Sequence, residues 1–588
     1  MASFAAPLDA YAQRLRREHF LLARKTLDEL IQRSGVDVAA NQATIQDLKA
    51  KQEELKRAQR AFAAWSVFHG ILLVLLIGGL IAAGVMIASL FLDLQFDYQV
   101  EVICGGAGVA LLAWLLRFCW VGDAMRRTGR RVVFLEREVA RLDALAWEQM
   151  EPLNALFTWD MVTDLLRQVL PEIHLDRMLS HQRLEDLVKA FGWSLSATTD
   201  FSVQQLQSGE ICGNPFAIVK GVGTRMGEKT YSGSKTVMVR RTIRVDGKTR
   251  VSYVPEVLHA TVTKPCPEYF PVAFVLFGSE AAPNLSFSRV PSKHSGMEDS
   301  FFNRLAKRRT TKDLEAFSRN LDDEYGFTMM ANREFETLFY AKDRSDEREF
   351  RLLFTPYAQQ EMVKLLNDTE IGFGDNFRMV KEDGITTTFP AHLVETELSL
   401  NPAHFRSNDI VALKQHFVQH NVDYFKAFYF ALAPFFTIPL YCQQRVSLPS
   451  FSTRAAKETS AYENELIANA YGEEHFSHPS CRTPSILKTV TRGSGDATHF
   501  EVTAKGYRIV ERADYVTRRD SSGNLHQVRV LWDDYIPVEH TTSLIALPDT
   551  DAETGEARSF SDAEALLRNN GIGAQALHHI RSSYVATL

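Results

Sequence analysis

Gly70 to Leu92 reads GILLVLLIGGLIAAGVMIASLFL, without one charged residue. A helix of that length crosses a hydrocarbon core of ~30 Å. Core helices of soluble proteins seldom run so long without a polar face, so the stretch predicts a transmembrane helix, with a buried core helix as the alternative. A second apolar run follows at Val102 to Leu116, VICGGAGVALLAWLL. It reaches spanning length from Val100 to Trp120, with Glu101 and Arg117 at its ends and Trp114 and Trp120 near an interface. The connection, Asp93 to Glu101, is short and acidic, which forces a hairpin. Gly79/Ala83 and Gly106/Ala110 repeat small residues at four-residue spacing, which allows close helix packing.

Positive charge orients the hairpin. Lys51, Lys56, Arg57 and Arg60 precede it, Arg117, Arg126, Arg127, Arg130 and Arg131 follow it, and the connection has none. The positive-inside rule then predicts a multi-pass protein of an inner (plasma) membrane, with its N-terminus and soluble region cytoplasmic. No secretory signal peptide is expected, because the first 60 residues are rich in Arg, Lys, Glu and Gln.

Working outward, residues 8–60 read as helix, broken near Ser34-Gly35. Ile45, Leu48, Leu55 and Phe62 fall at heptad a/d spacing, with Gln52 and Gln59 in the other two positions; Val132, Leu135, Val139 and Leu142 repeat the pattern after the hairpin. The two flanks can pair as an antiparallel coiled coil, or remain amphipathic helices packed on the following domain. Residues 153–193 continue helical, interrupted at Pro171. From about residue 211 strands are expected. KTVMVRRTIRV, Asp246-Gly247 and KTRVSYVPEVLHATV form a hairpin with a type I′ turn, and FPVAFVLFG (270–278) a buried strand. Residues 298–325 read as helix, 333–341 and 349–354 as strands. Thr355-Pro356 opens a further helix, with Thr as N-cap. Ile371 to Met379 and Thr386 to Pro390 read as strands.

A third apolar run, AFYFALAPFFTIPLYC (Ala427 to Cys442), is short and interrupted by Pro434 and Pro439. It reads as buried or membrane-apposed, with a third span as the alternative. After it, HFEVTAKGYRIVERADYVT, DSSGN and LHQVRVLWDDYIPVEHTTSLIAL form a second long hairpin that suggests duplicated architecture. Residues 549–560 read as a loop and the last 28 as helical. The expected class is an α+β soluble region on an α-helical transmembrane hairpin. Its layout is a helical segment at 1–66, the hairpin at 67–121, a helical stalk at 122–200, an α+β domain at 201–425, the apolar segment at 426–443, and a strand-rich region with terminal helices at 444–588.

Length and composition fit this plan. The 588 residues exceed one ordinary domain, and 45% hydrophobic content is a globular share. A net charge of −6 does not suggest a nucleic-acid binder. Six scattered cysteines (Cys104, Cys119, Cys212, Cys266, Cys442, Cys481) without a CxxC argue against a secreted disulfide framework and for a reducing compartment.

The candidate sites are few. GVGTRMGEKTYSGSKT (221–236) imitates a phosphate loop, but Glu228 separates Gly227 from Lys229, Ser234 separates Gly233 from Lys235, and a strand follows where a helix is needed. It reads as a flexible loop leading into the hairpin. His475, His478 and Cys481 in HFSHPSC have metal-like spacing, for which Glu473, Glu474 or His499 would have to complete the set, but the first reading is two histidines packed at a loop that ends at Pro479. AKRRTTK (306–312) reads as an exposed basic helix face, with contact to anionic lipid or nucleic acid as the alternative. DRSDERE (343–349) reads as a solvated turn with local ion pairs. No hydrolase, zincin, dinucleotide-binding or kinase motif occurs in usable context. No cofactor is therefore expected, and a role other than enzyme is the first expectation.

One stretch has a family likeness. NREFETLFYAKDRSDEREFRLLFTPYAQQEMVKLL (332–366) resembles the DUF3137-type domain of bacterial membrane proteins, through Phe335, Phe339, Asp343, Glu347, Arg351, Leu353, Thr355 and Pro356. That family also tends to carry a two-helix membrane hairpin upstream. VTKPCPEYFPVAFVLFGSEAAPNLSFSR (262–289) is similar to bacterial proteins of the same layout. The resemblance implies a bacterial inner-membrane protein and transfers no catalytic residues. The third apolar run and the strand-rich C-terminal part depart from the family's pattern.

The first functional expectation is a membrane-anchored scaffold that self-associates or binds a protein partner. The alternatives are a membrane-bound enzyme or ligand sensor with a site between residues 200 and 450, and an oligomeric membrane-perturbing protein.

Overall fold

The computed structural model describes residues 6–91, 99–193, 200–245, 248–296, 301–319, 327–444, 446, 458–493, 497–550, 557–569 and 577–587. The chain divides into two compact units: Arg24–Phe157 with Phe405–Val418, and residues 1–23, 158–404 and 419–588.

The first unit is helical. Helix Val38–Phe91 is followed by Gln99–Leu116, a π-turn at Arg117–Val121, and helix Gly122–Asn154. Two helices are long and apolar enough to cross a membrane, and only 11% of each apolar window is buried within the protein. Val74, Leu75, Ile81, Val85, Leu111 and Leu112 point outward, which a core helix would not allow. Most of the Asp93–Glu101 connection lies outside the described residues. The small residues meet as their spacing suggests: a Cβ on Gly79 would lie 2.7 Å from the Gly106 carbonyl oxygen, and one on Gly106 2.9 Å from that of Gly79. The flanks touch through Ile45, Leu48, Val139, Leu142 and Ala146. This is helix packing, and nothing in it defines a supercoil. Two buried asparagines fasten the 405–418 segment to the helices. Asn41 donates to the Asn408 carbonyl at 2.9 Å and accepts from the Ile410 amide at 3.1 Å. Asn154 donates to the Ser407 carbonyl and accepts from its amide.

The second unit is built on two antiparallel sheets. The first contains β1 (Ile173–Leu175), β2 (Phe201–Ile211), β3 (Asn214–Val245), β4 (Lys248–Gly278), β5 (Phe287–Arg289), β6 (Phe377–Glu382) and β7 (Ile385–Pro390), in the order β1-β2-β3-β4-β7-β6-β5. The second contains β8 (Ile486–Gly493), β9 (Thr498–Arg519), β10 (Leu525–Pro548), β11 (His578–Ile580) and β12 (Ser583–Thr587), in the order β11-β12-β10-β9-β8. Each sheet extends one long ribbon, and the ribbons stack through Val237, Val239, Leu258 and Ala260 on one side and Val528 and Val530 on the other. At Gly233 the β3 backbone approaches the Arg529 carbonyl too closely for any Cβ.

β2, β3 and β4 are covered on both faces near the sheet's centre. One face packs Val203, Leu206, Ala217, Val219, Phe274 and Leu276 against Leu179, Leu187 and Leu466. The other takes helix Ile410–Phe436: Phe216 meets Phe428, and Phe277 meets Phe435 and Tyr441. Ala427, Tyr429, Ala431, Leu432 and Ala433 are fully buried, so the third apolar run forms part of this core. Tyr11 packs on Phe425, Tyr429 and Phe430, and the Tyr429 hydroxyl donates to the Pro7 carbonyl.

Several expectations need correction. Residues 333–341 and 349–354 are not strands but contribute helices Arg333–Phe339 and Glu347–Leu353, capped by the side chains of Asn332 and Asp346. Phe335/Phe339 and Phe350/Phe354 are four apart, the helical repeat, and join in one aromatic cluster. The charged turn 343–349 is not solvated throughout, because Arg344 is fully buried and pairs with Glu336 and Glu347. Residues 221–236 form no loop and lie within β3, while β2 already begins at Phe201. Of Ile371 to Met379, only Phe377 onward is strand. The last 28 residues are not all helical: β12 pairs with β10 and is almost wholly buried. The Asp246-Gly247 turn lies outside the described residues, although pairing runs up to Val245 and Lys248. The scattered cysteines also yield one bond. The fold brings Cys212 and Cys442, 230 positions apart, into a disulfide with Cα atoms 5.1 Å apart.

His19 stacks on Phe425 at 4.2 Å, is 1% exposed, and has no partner for either ring nitrogen. Burial lowers its pKa from 6.5 to about 4. The native state therefore holds it neutral while the unfolded chain takes a proton below pH 6.5, so stability is lost as pH falls from 6.5 towards 4. His392, also lowered to about 4 by burial, acts in the same direction. Replacing His19→Phe should stabilise the protein by about 2 kcal/mol more at about pH 5 than at about pH 8. Urea midpoints at the two pH values read this directly, and equal shifts would show that His19 is not held neutral.

Candidate functional site

β2 and β3 pair Gln205 with Lys220 and Gln207 with Ile218. Side chains alternate along a strand, so these four share one face, the face that Phe216 presents to helix Ile410–Phe436. A bulge at Gln204 breaks the register beside them, the kind of irregularity that re-aims side chains next to sites. Across from the strands, Tyr424 and Phe428 stand one helical turn apart. Leu393 and Leu398–Asn401, Leu466, Asn469 and Ala470, Trp159, Glu473 and Arg581 complete the wall. They enclose a cavity of about 350 Å³, within the range that holds small molecules.

The wall is mainly apolar with a few convergent polar groups. Gln207 spends both amide hydrogens on the carbonyls of Asp176 and Ser208, which fixes its orientation. Its Oε1, and that of Gln205, are buried with no partner. Buried acceptors left empty are costly, by about 1–3 kcal/mol each. The Lys220 ammonium donates to the Thr396 carbonyl at 2.7 Å. Burial lowers its pKa, and the nearby Glu397 partly opposes this. Burial raises the Tyr424 hydroxyl, with the Arg581 charge working the other way. Arg581 stands on the turn between β11 and β12 with φ +52° and is held by both oxygens of buried Glu463, at 2.9 and 3.2 Å. Burial also raises Glu473, which accepts from the Ser485 amide. The arrangement suits a ligand with an apolar body, an anionic group for Lys220, and N–H or O–H donors for the two glutamine oxygens.

The sequence-derived metal candidates do not converge. His475 lies beside Glu474 at 3.7 Å. His478 Nδ1 accepts from the Ser480 amide and hydroxyl. The Cys481 thiol lies 3.2 Å from the Thr483 carbonyl. Among the described residues no three His, Cys, Asp or Glu side chains are placed to hold a metal ion. Glu473, considered as a further ligand, lines the cavity instead. In the basic 306–312 stretch, Arg308 and Arg309 are exposed on helix Phe301–Ser318 while Thr310 bonds His294.

Sequence reasoning missed the cavity because its residues come from separated segments between Trp159 and Arg581. The one available signal was the run Gln204-Gln205-Leu206-Gln207, where amides alternate with an apolar residue in a strand buried on both faces. No protein family, curated protein or solved structure matches the chain.

Replacing Gln205→Leu removes a buried empty acceptor. The ligand-free protein should gain about 1 kcal/mol, and a bound ligand should lose about tenfold in affinity. Chemical denaturation and calorimetric titration measure the two effects, and a loss of stability in the empty protein would contradict the assignment.

Proposed function

We propose that this protein is a membrane-anchored receptor for a small amphiphilic anion. The observation that carries the reading is the cavity itself, whose wall sets Lys220 beside two buried carbonyl oxygens that lack partners. A buried acceptor without a protein donor calls for one from outside the chain, from a ligand or an ordered water. The two helices of spanning length supply the anchor. The positive charges flanking them support a bacterial inner-membrane hairpin with both ends in the cytoplasm. The likeness of residues 332–366 to DUF3137-type proteins points the same way.

A second reading, a scaffold for a protein partner or a second copy, is favoured by the stacked ribbons. Met238, Tyr253, Val257, Tyr515 and Leu525 stay exposed on them, and exposed apolar residues of this kind mark interaction surfaces. The membrane-perturbing alternative loses its third membrane element, because the Ala427–Cys442 run lies in a protein core.

Native mass spectrometry of the detergent-solubilised chain should show an acidic small-molecule adduct, reduced about tenfold in occupancy by Lys220→Met. A clean mass together with a defined oligomer would favour the scaffold instead. The orientation has its own test. With the other five cysteines replaced by serine, Cys481 should resist a membrane-impermeant thiol reagent in intact cells and react once the cells are opened. Labelling from outside would reverse the topology, and would agree with the Cys212–Cys442 bond, since disulfides persist mainly in oxidising compartments.

A further inference from the structure

Arg117 stands where the second apolar helix ends, at the first position of the π-turn Arg117–Val121. Such turns are frequent at functional sites. Its Nε donates to His69 Nε2 at 2.9 Å, which ties it to helix Val38–Phe91. Among the described residues this is its one hydrogen bond, and no carboxylate pairs with it. An arginine at the end of an apolar span would ordinarily reach into water. Here it is half-buried, in an open groove of about 650 Å³ lined also by Phe62, Trp114, Phe118, Met125 and Arg126. Trp114 and Phe118 stack at 5.7 Å with their planes 8° apart, and Trp120 is 74% exposed. Aromatic rings of this kind collect at the headgroup level of a bilayer. Arg126 is the second cation of the groove and is already paired with Asp123 at 2.9 Å. Among the described residues, the groove thus holds one guanidinium that no carboxylate pairs, beside the interfacial aromatics Trp114 and Phe118.

We propose that this groove binds the phosphate of an anionic membrane lipid. Arg117 is the principal ligand and Arg126 an auxiliary one, while the side chains of Phe62, Trp114, Phe118 and Met125 take the glycerol and acyl portion. A guanidinium fork matches two phosphate oxygens, and basic pockets between membrane helices recognise headgroups in this way. The site is separate from the cavity and does not depend on the reading given to it. The same oxygen chemistry is available in soluble phosphate, so the source has to be resolved by experiment.

The full-length protein is reconstituted in nanodiscs of mixed phosphatidylglycerol and phosphatidylcholine, and retained lipid is counted by native mass spectrometry. The wild type should retain phosphatidylglycerol in preference to phosphatidylcholine. Arg117→Gln should reduce that preference about tenfold, whereas replacing Arg130 and Arg131, which do not line the groove, should leave it unchanged. Equal retention of the two lipids by the wild type overturns the proposal whether or not the Arg117 variant folds. So does an unchanged preference in a folded Arg117→Gln protein. Inorganic phosphate exchanged for chloride at constant ionic strength should not release the lipid. Release would assign the site to a soluble phosphate and overturn the lipid assignment.

Discussion

Phe216 and Phe277, register partners across β3 and β4, press one face of the first sheet against the rings of Phe428, Phe435 and Tyr441. Much of the second unit follows from that contact. It requires the Ala427–Cys442 run to lie inside the protein rather than in lipid, and it buries β3 on both faces. It also sets the helix at the height where Tyr424 and Phe428 face Ile218 and Lys220. Ring pairs of this kind contribute about 0.5–1.5 kcal/mol beyond their buried area, and this cluster continues through Phe425, Tyr429 and Phe430 to Tyr11. Removing the helix would expose the aromatic face and open the cavity together.

The buried arginines of this unit contrast with the glutamines of the cavity. Arg289 is paired with Asp375 at 2.6 Å and lies over the rings of Phe339 and Phe377. Arg344 is held by Glu336 and Glu347 between Phe327 and Phe350. Arg581 is held by Glu463. In each case the charge has a carboxylate, so the desolvation cost is offset locally and the group fixes geometry. Gln205 and Gln207 differ, because their oxygens are as deeply placed and have no protein donor. His19 and the Asn214 Oδ1 also lack partners but do not line the cavity, so what sets the two glutamine oxygens apart is that they border a space able to hold a donor.

What the sequence disclosed follows the range of its signals. The two long apolar helices, the break at Gly35, the Thr355 cap and the two long hairpins rest on local patterns, and local patterns survive folding. The close approach at Gly79 and Gly106 was only weakly legible, since a four-residue repeat of small side chains permits it but glycine is common in apolar helices anyway. The helices at 333–339 and 347–353 were misread because their aromatic and charged composition resembles strand, although the paired phenylalanines four apart carried the helical period. The buried partners of Arg344 could not be read from DRSDERE, since local charge density looks the same whether solvated or enclosed. The Cys212–Cys442 bond and the cavity were out of reach altogether, because both join segments that only the fold brings together.

The contrast between the cavity and the groove at Arg117 shows how the same residue chemistry is tuned by its surroundings. In the cavity the cation is a lysine whose burial lowers its pKa, so its charge and its grip on an anion both respond to what fills the space beside it. In the groove the cation is a guanidinium, which stays protonated in any protein environment, and its neighbour His69 accepts rather than donates. A half-buried lysine in a partly open, mainly apolar cavity favours a ligand that brings its own charge and leaves again. An arginine at an open interface favours a phosphate that is always present. On the two proposals taken together, the cavity holds an exchangeable ligand and the groove a standing one, because a lysine that burial makes less basic and a guanidinium at the end of an apolar helix grip anions differently.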